Sequence, residues 1–268
     1  MKIFLGPAGI PIVSKGESTI DGVKTVASLG LNAMEIEFVQ QVYLNETQAK
    51  EVGKIAKDCG VRLSAHAPYY INLCSKEKSV IEASKNRIIR TALVAEAMEA
   101  DAIAIHIASY SELSADAAFK KVKQGLQDVL EKLSVNVKIG VEVMGKKTHF
   151  GSLCEVLKLQ KEVKIIPYID WGHLFVRDDG KINYGDALEK LKHMKHVNSH
   201  FTCVAKNAKG QYIDQHVPII YDAPPFKPLA EEILKRKQDI TIICETPLLE
   251  HDSLVMKGVF EGLGHSFD

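Results

Sequence analysis

The chain has 268 residues, 46% of them hydrophobic, with 34 basic and 34 acidic side chains and a formal net charge of zero. That size and apolarity suffice for one large packed core, and the charge balance argues against indiscriminate binding to nucleic acid or membranes while leaving room for a local basic patch. Five cysteines, at 59, 74, 154, 203 and 244, form no CxxC, which speaks against a disulfide framework and for a reducing, intracellular (cytoplasmic) compartment.

The N-terminal MKIFLGPAG has too short an apolar run for a signal peptide and reads as a first strand, KIFLG (2–6), closed by a GPAG turn. Further strand-like runs follow: NAMEIEF (32–38), VRLSAHA (61–67), AIAIHIA (102–108), KIGVEVM (138–144), VKIIPYID (163–170), HVNSHFT (196–202) and TIICETP (241–247). Each is short and bounded by turn residues, and their near-continuous apolarity suits strands covered on both faces. The intervening segments read as helices. Ser14 to Gly30 and Glu46 to Gly60 each end at a glycine able to take a left-handed cap. Residues 77–100 place apolar side chains at 80, 81, 88, 89, 92, 93 and 97, one stripe at helical spacing. Residues 114–133, 184–193 and those after Glu250 behave similarly. No stretch approaches the roughly 20 apolar residues of a membrane span. Strand–helix units recurring about every 30 residues predict a single-domain α/β chain, a (β/α)8 TIM barrel over residues 1–268.

In such a barrel the C-terminal strand ends converge on one rim. There the sequence delivers His66, His106, Glu142, Asp170 with His173 just beyond, His200 and Glu245, and the segment after the seventh strand adds Asp214 and His216 in YIDQH. A lone histidine at a strand end is usually structural. Glutamates inside apolar runs, as at 142 and 245, demand partners or a metal. The joint pattern predicts a metal centre, and mixed imidazole and carboxylate donors favour zinc, manganese or iron over calcium or magnesium. Nine donors exceed the roughly four that one zinc uses, so two or three ions are expected, an arrangement suited to phosphodiester hydrolysis.

At these residues the chain resembles the endonuclease IV family, through HAPYYIN after the third strand, DWGH (170–173), DQH (214–216) and CETP (244–247). The resemblance implies a (β/α)8 barrel with three Zn2+ ions, Mn2+ or Fe2+ being alternatives, acting on damaged double-stranded DNA as a monomer. It implies that His66 and His106 hold the first ion, with Glu142 bridging to a second completed by Asp170, His200 and Glu245. His173, Asp214 and His216 hold the third. Glu142 and Glu245 are the expected catalytic carboxylates, and the activity implied is cleavage 5′ to an abasic site. Tyr69 and Tyr70 align with residues that enter the minor groove, and Lys146, Lys147, Arg177, Lys206 and Lys209 are candidate phosphate contacts. The chain departs from the family pattern at Trp171-Gly172 and at the FTCVAK segment, 201–206, changes expected to alter the walls of the site. Trp171 itself is expected to pack. A sugar isomerase or epimerase with one or two divalent ions is the rival, distinguished by having no use for His173, Asp214 and His216.

Overall fold

Eight parallel strands run β1 (Ile3–Pro7), β2 (Ala33–Glu37), β3 (Arg62–His66), β4 (Ala102–Ile105), β5 (Lys138–Glu142), β6 (Ile166–Asp170), β7 (His196–Phe201) and β8 (Asp239–Cys244) in the computed structural model, which describes residues 1–267. Each pairs with its successor, β8 returns to pair with β1, and the ring closes through an Ala8–Glu35 bridge and a hydrogen bond from Gly9 to the Glu35 carbonyl at 2.9 Å. This is the (β/α)8 barrel the strand spacing predicts. Closure needs a bare backbone at Gly6, where a Cβ would lie 1.5 Å from the Ala33 carbonyl oxygen.

The helices are α1 (Thr19–Ser28), α2 (Glu46–Asp58), α3 (Lys78–Ala97), α4 (Ala115–Leu130), α5 (Leu153–Gln160), α6 (Trp171–Arg177), α7 (Tyr184–Leu191), α8 (Phe226–Arg236) and α9 (Glu250–Gly262). Local chemistry sets their ends. Ser18 with Asp21, Asn45 with Gln48, and Ser152 with Glu155 form reciprocal capping boxes, and Gly30 and Gly60 follow α1 and α2 at φ +70°. The buried face of α3 differs from the expected stripe. It is built from Ser84, Ile88, Thr91, Ala92, Val94 and Ala95, while Leu93 is exposed. Small side chains let this helix lie close on the sheet, so its inner face is less apolar than its sequence pattern suggests. No helix among the described residues is long and apolar enough to cross a membrane.

The main apolar core lies between strands and helices. The barrel interior is different. Alternate residues point inward, and they are Ser64 and His66 on β3, Ala102 and Ala104 on β4, Tyr168 and Asp170 on β6, and Asn198 and His200 on β7. The inward face of these four strands is therefore small or polar, where the sequence suggested even apolarity.

Candidate metal centre

The DWGH stretch explains itself once α6 is seen. Asp170 ends β6 and is also the N-cap of α6, its Oδ1 accepting from the His173 backbone N–H at 2.5 Å. The spacing from N-cap to N3 turns both side chains toward the same rim. Asp214 and His216 lie on the second strand of an antiparallel hairpin, residues 203–206 and 212–217. Two residues apart on one strand, they share a face.

All nine rim donors meet in four groups, three of them joined by shared residues. His66, His106 and Glu142 form one, Glu142, Asp170 and His200 a second, and His173, Asp214 and His216 a third; Glu245 gathers with His200 and Glu35. Within each group the donor atoms lie within 4.8 Å of one another. Glu142 Oε2 is 3.2 Å from His66 Nε2 and 3.1 Å from His106 Nε2, and His173 Nε2 is 3.1 Å from Asp214 Oδ1. Ligands of a tetrahedral ion at zinc bond lengths sit about 3.3 Å apart, so these spacings suit a shared ion. The imidazoles are also aimed. Nδ1 of His66, His173 and His216 each donates to a backbone carbonyl, of Ala67, Val143 and Glu245, at 2.7, 3.0 and 2.8 Å. That leaves Nε2 facing the cluster, the outer-sphere arrangement typical of ligating histidines.

Three donor residues each leave one atom without a hydrogen-bond partner. Glu142 Oε1, Asp170 Oδ2 and His200 Nδ1 are buried and hydrogen-bond to nothing. Unpaired buried polar atoms are costly, and the three residues that carry them gather in one donor group, which fits a divalent cation. No cysteine joins the set, so nitrogen and oxygen donors alone define it.

The electrostatics agree. Burial would push the Glu142 carboxyl up, but the charges of His106 and His200 outweigh it and hold it well below the usual range. Burial, then the charges of Asp170 and Glu142, leave Glu245 at about 7 despite the opposing pull of His200. Burial pulls His66 and His216 down, yet their bonds to Glu142 and Asp214 prevail and raise them to about 10 and about 9. Both therefore hold protons at neutral pH in the metal-free protein, and both must lose them to ligate. Adding Zn2+ to stripped protein at pH 7 should release at least one proton per chain, read as a calorimetric enthalpy that changes with buffer ionisation heat. Apparent affinity should rise from pH 6 to pH 9. Uptake without proton release would contradict this assignment.

Other expected residues fall as follows. Tyr69 and Tyr70 sit on the loop after β3, 48% and 63% exposed, with the Tyr69 ring 5.3 Å from His66 and 5.6 Å from His106. Lys146 reaches to 3.9 Å from Asp214, Lys147 pairs with Asp179 at 2.8 Å, and exposed Lys206 lies 4.7 Å over the Tyr212 ring. Lys209 is exposed at the hairpin turn. Arg177 departs from expectation. Its Nη1 donates to the carbonyls of Met144, Lys146 and His149, so it ties down the loop after β5 and is not free to bind phosphate. Trp171 packs as expected, while Gly172 lies off the walls of the site. Trp171 is fully buried, and a Cβ on Gly172 would lie 2.6 Å from Thr202 Cγ2, so both pack behind the ligands. Phe201, Thr202, Cys203 and Val204 are likewise buried, leaving Lys206 as the exposed end of that segment.

Glu35 and Glu37 on β2 were missed. Glu35 is fully buried, and Glu37 has one buried oxygen without a partner. Burial holds the Glu37 carboxyl at about 8 against the opposing charge of His66. The signal was present in NAMEIEF, where two carboxylates interrupt an apolar run as Glu142 does in its own strand.

The family model for the xylose isomerase-like TIM barrel matches residues 23–257. The chain belongs to this family. An uncharacterized protein of Methanocaldococcus jannaschii is 32% identical, aligned over 97% of this chain and 98% of its own. A probable endonuclease 4 of Oceanobacillus iheyensis is 30% identical, over 70% of this chain and 67% of its own. Among solved structures, endonuclease IV from Thermus thermophilus superposes with a TM-score of 0.73 at 18% identity, covering 96% of this chain and 98% of its own. A D-tagatose 3-epimerase-like protein gives 0.70 at 19% identity, covering 96% of each chain. At such identities the two structures share the fold. Membership of this enzyme family and the endonuclease 4 relatives make the chain an enzyme, and the clustered donors agree with divalent-metal chemistry.

Proposed function

We propose that this xylose isomerase-like barrel is a zinc-dependent endonuclease. It would hydrolyse the DNA phosphodiester 5′ to an abasic site, leaving a 3′-hydroxyl and a 5′-deoxyribose phosphate, as in base-excision repair. The observation that carries the reading is the third donor group, His173, Asp214 and His216, beside the two groups joined by Glu142. An isomerase needs one or two ions; phosphodiester hydrolysis uses several, because charge develops on the attacked phosphate and on both the entering and leaving oxygens. Bound divalent ions would supply that charge neutralisation and a water of lowered pKa. The chain does the positioning. Glu142 belongs to two donor groups and sets their separation, and Glu245 brings a second carboxylate to His200, its Oε1 3.5 Å from His200 Nδ1. The probable endonuclease 4 relative supports the substrate class.

The rim suits DNA in a second way. Of twelve exposed large hydrophobic side chains among the described residues, nine lie in the connections at this end: Ile12, Val13, Val39, Tyr43, Tyr69, Tyr70, Leu248, and Ile220 and Tyr221 in a short 3-10 turn. Lys146, Lys147, Lys206 and Lys209 occupy the loop after β5 and the hairpin. Apolar wedges that open a duplex beside cations that hold its backbone form a common plan for damaged DNA, and a missing base lowers the cost of extrusion. Tyr70 is the more exposed of its pair, beside a cleft of about 460 Å³. Tyr70→Ala should reduce the preference for abasic over intact duplex about tenfold, the value of one stacking contact, with metal content unchanged. An unaltered preference would return Tyr70 to a packing role.

The test is incision of a duplex carrying one abasic-site analogue, run beside an epimerisation assay on free ketohexoses with the same metal-loaded protein. Cleavage on the 5′ side, lost on chelation and restored by zinc, supports the reading. Epimerisation without incision would favour the epimerase alternative, which the Glu142, Asp170, His200 and Glu245 quartet alone would serve.

A further inference from the structure

β2 contributes none of the nine expected donors, yet Glu35 on it is wholly buried and fully bonded. Oε1 accepts from His200 Nε2 at 2.6 Å, while Oε2 accepts from Ser64 Oγ at 2.6 Å and from the Tyr168 hydroxyl at 2.8 Å. The three donors come from β3, β6 and β7, so the carboxylate is clamped inside the barrel. An ionised carboxylate only accepts, and the proton must therefore sit on His200 Nε2. The lone pair is then on Nδ1. That atom is buried and unbonded, 3.6 Å from Glu142 Oε2, 3.5 Å from Glu245 Oε1 and 4.0 Å from Asp170 Oδ2. The geometry points to Glu35 as the positioning residue of this second metal subsite, fixing the tautomer and ring plane that make His200 a ligand through Nδ1; the inference rests on the metal-centre reading above.

The orientation of His200 is the reverse of that of His66, His173 and His216, which are pinned through Nδ1 by carbonyls and present Nε2. A carboxylate in place of a carbonyl also makes the imidazole a stronger donor. Glu35 is not itself a ligand here. Its Oε1 is too close to His200 Nε2 for an ion bound to both, since tetrahedral ligands stand about 3.3 Å apart, and its Oε2 already has two donors.

The test is Zn2+ affinity by competition with a chromophoric chelator, and the visible spectrum of the Co2+-loaded protein, for the wild type, Glu35→Gln and Ser64→Ala. Glu35→Gln should still fill every site at saturating Zn2+ but bind one ion about 10–100-fold more weakly, with altered Co2+ bands. Ser64→Ala keeps the carboxylate on His200 and should stay near wild type. Unchanged affinity and spectrum in Glu35→Gln would overturn the proposal, as would equal weakening by Ser64→Ala. Loss of a whole ion at saturation would make Glu35 a ligand and overturn it too. A wild type that binds no metal would refute the metal centre itself, a distinct failure. If Glu35→Gln does not fold, imidazole 15N spectra of metal-loaded wild type decide: coordination of His200 by Nε2 would overturn the assignment.

Discussion

Glu142→Gln should lower incision of an abasic duplex by at least about 100-fold while leaving the fold intact. Glu142 Oε2 lies 3.2 and 3.1 Å from the Nε2 atoms of His66 and His106, and Oε1 lies 3.0 Å from His173 Nδ1, whose proton is taken by the Val143 carbonyl. Glutamine has the same shape but removes the negative charge shared by two donor groups, and its amide must turn a donor toward the cluster. Metal charge supplies several kcal/mol of transition-state stabilisation, and each 1.36 kcal/mol lost is tenfold in rate. Metal content should fall in the same sample. Thermal stability of the stripped protein should fall, because the buried charge that His66, His106 and His200 face has been removed. Full activity in this variant would sink the cluster assignment.

Trp171→Ala should destabilise the protein by about 3–5 kcal/mol, the usual cost of emptying a large aromatic site, which for a chain of this length is a Tm fall of about 10 °C. The indole is fully buried and meets the Tyr184 ring edge-on at 5.6 Å. It also opens α6, between the N-cap Asp170 and His173. The cavity should therefore loosen two donors at once, so zinc retention should weaken although Trp171 faces away from the site. Thermal scans on stripped protein separate the two effects. A shift under about 3 °C would show that the helix start is held by its neighbours instead.

The barrel was readable because its eight apolar runs are each separated by enough chain for one helix and because the turn glycines stand where helices stop. The nine donors were readable because ionisable groups at the ends of apolar strands have few explanations. What stayed hidden has physical causes. α6 is only 7 residues long, and a stripe of two turns gives little periodicity. The hairpin bearing Asp214 and His216 is half exposed and polar, so nothing in its composition distinguishes it from a loop. Glu35 and Glu37 stay hidden because an apolar run implies cover on both faces of a strand, whereas the interior of this barrel carries polar side chains below the rim. Arg177 was misplaced because a cation after a strand end looks the same in sequence whether it faces solvent or curls back onto carbonyls.

The most direct test of the metal centre is the number of metal ions per chain in the purified protein, counted against protein concentration by amino-acid analysis after saturation with zinc and removal of loosely held ions. Three ions per chain is the predicted result, one for each expected ligand set. A count of one would leave His173, Asp214 and His216 without an ion and contradict the account.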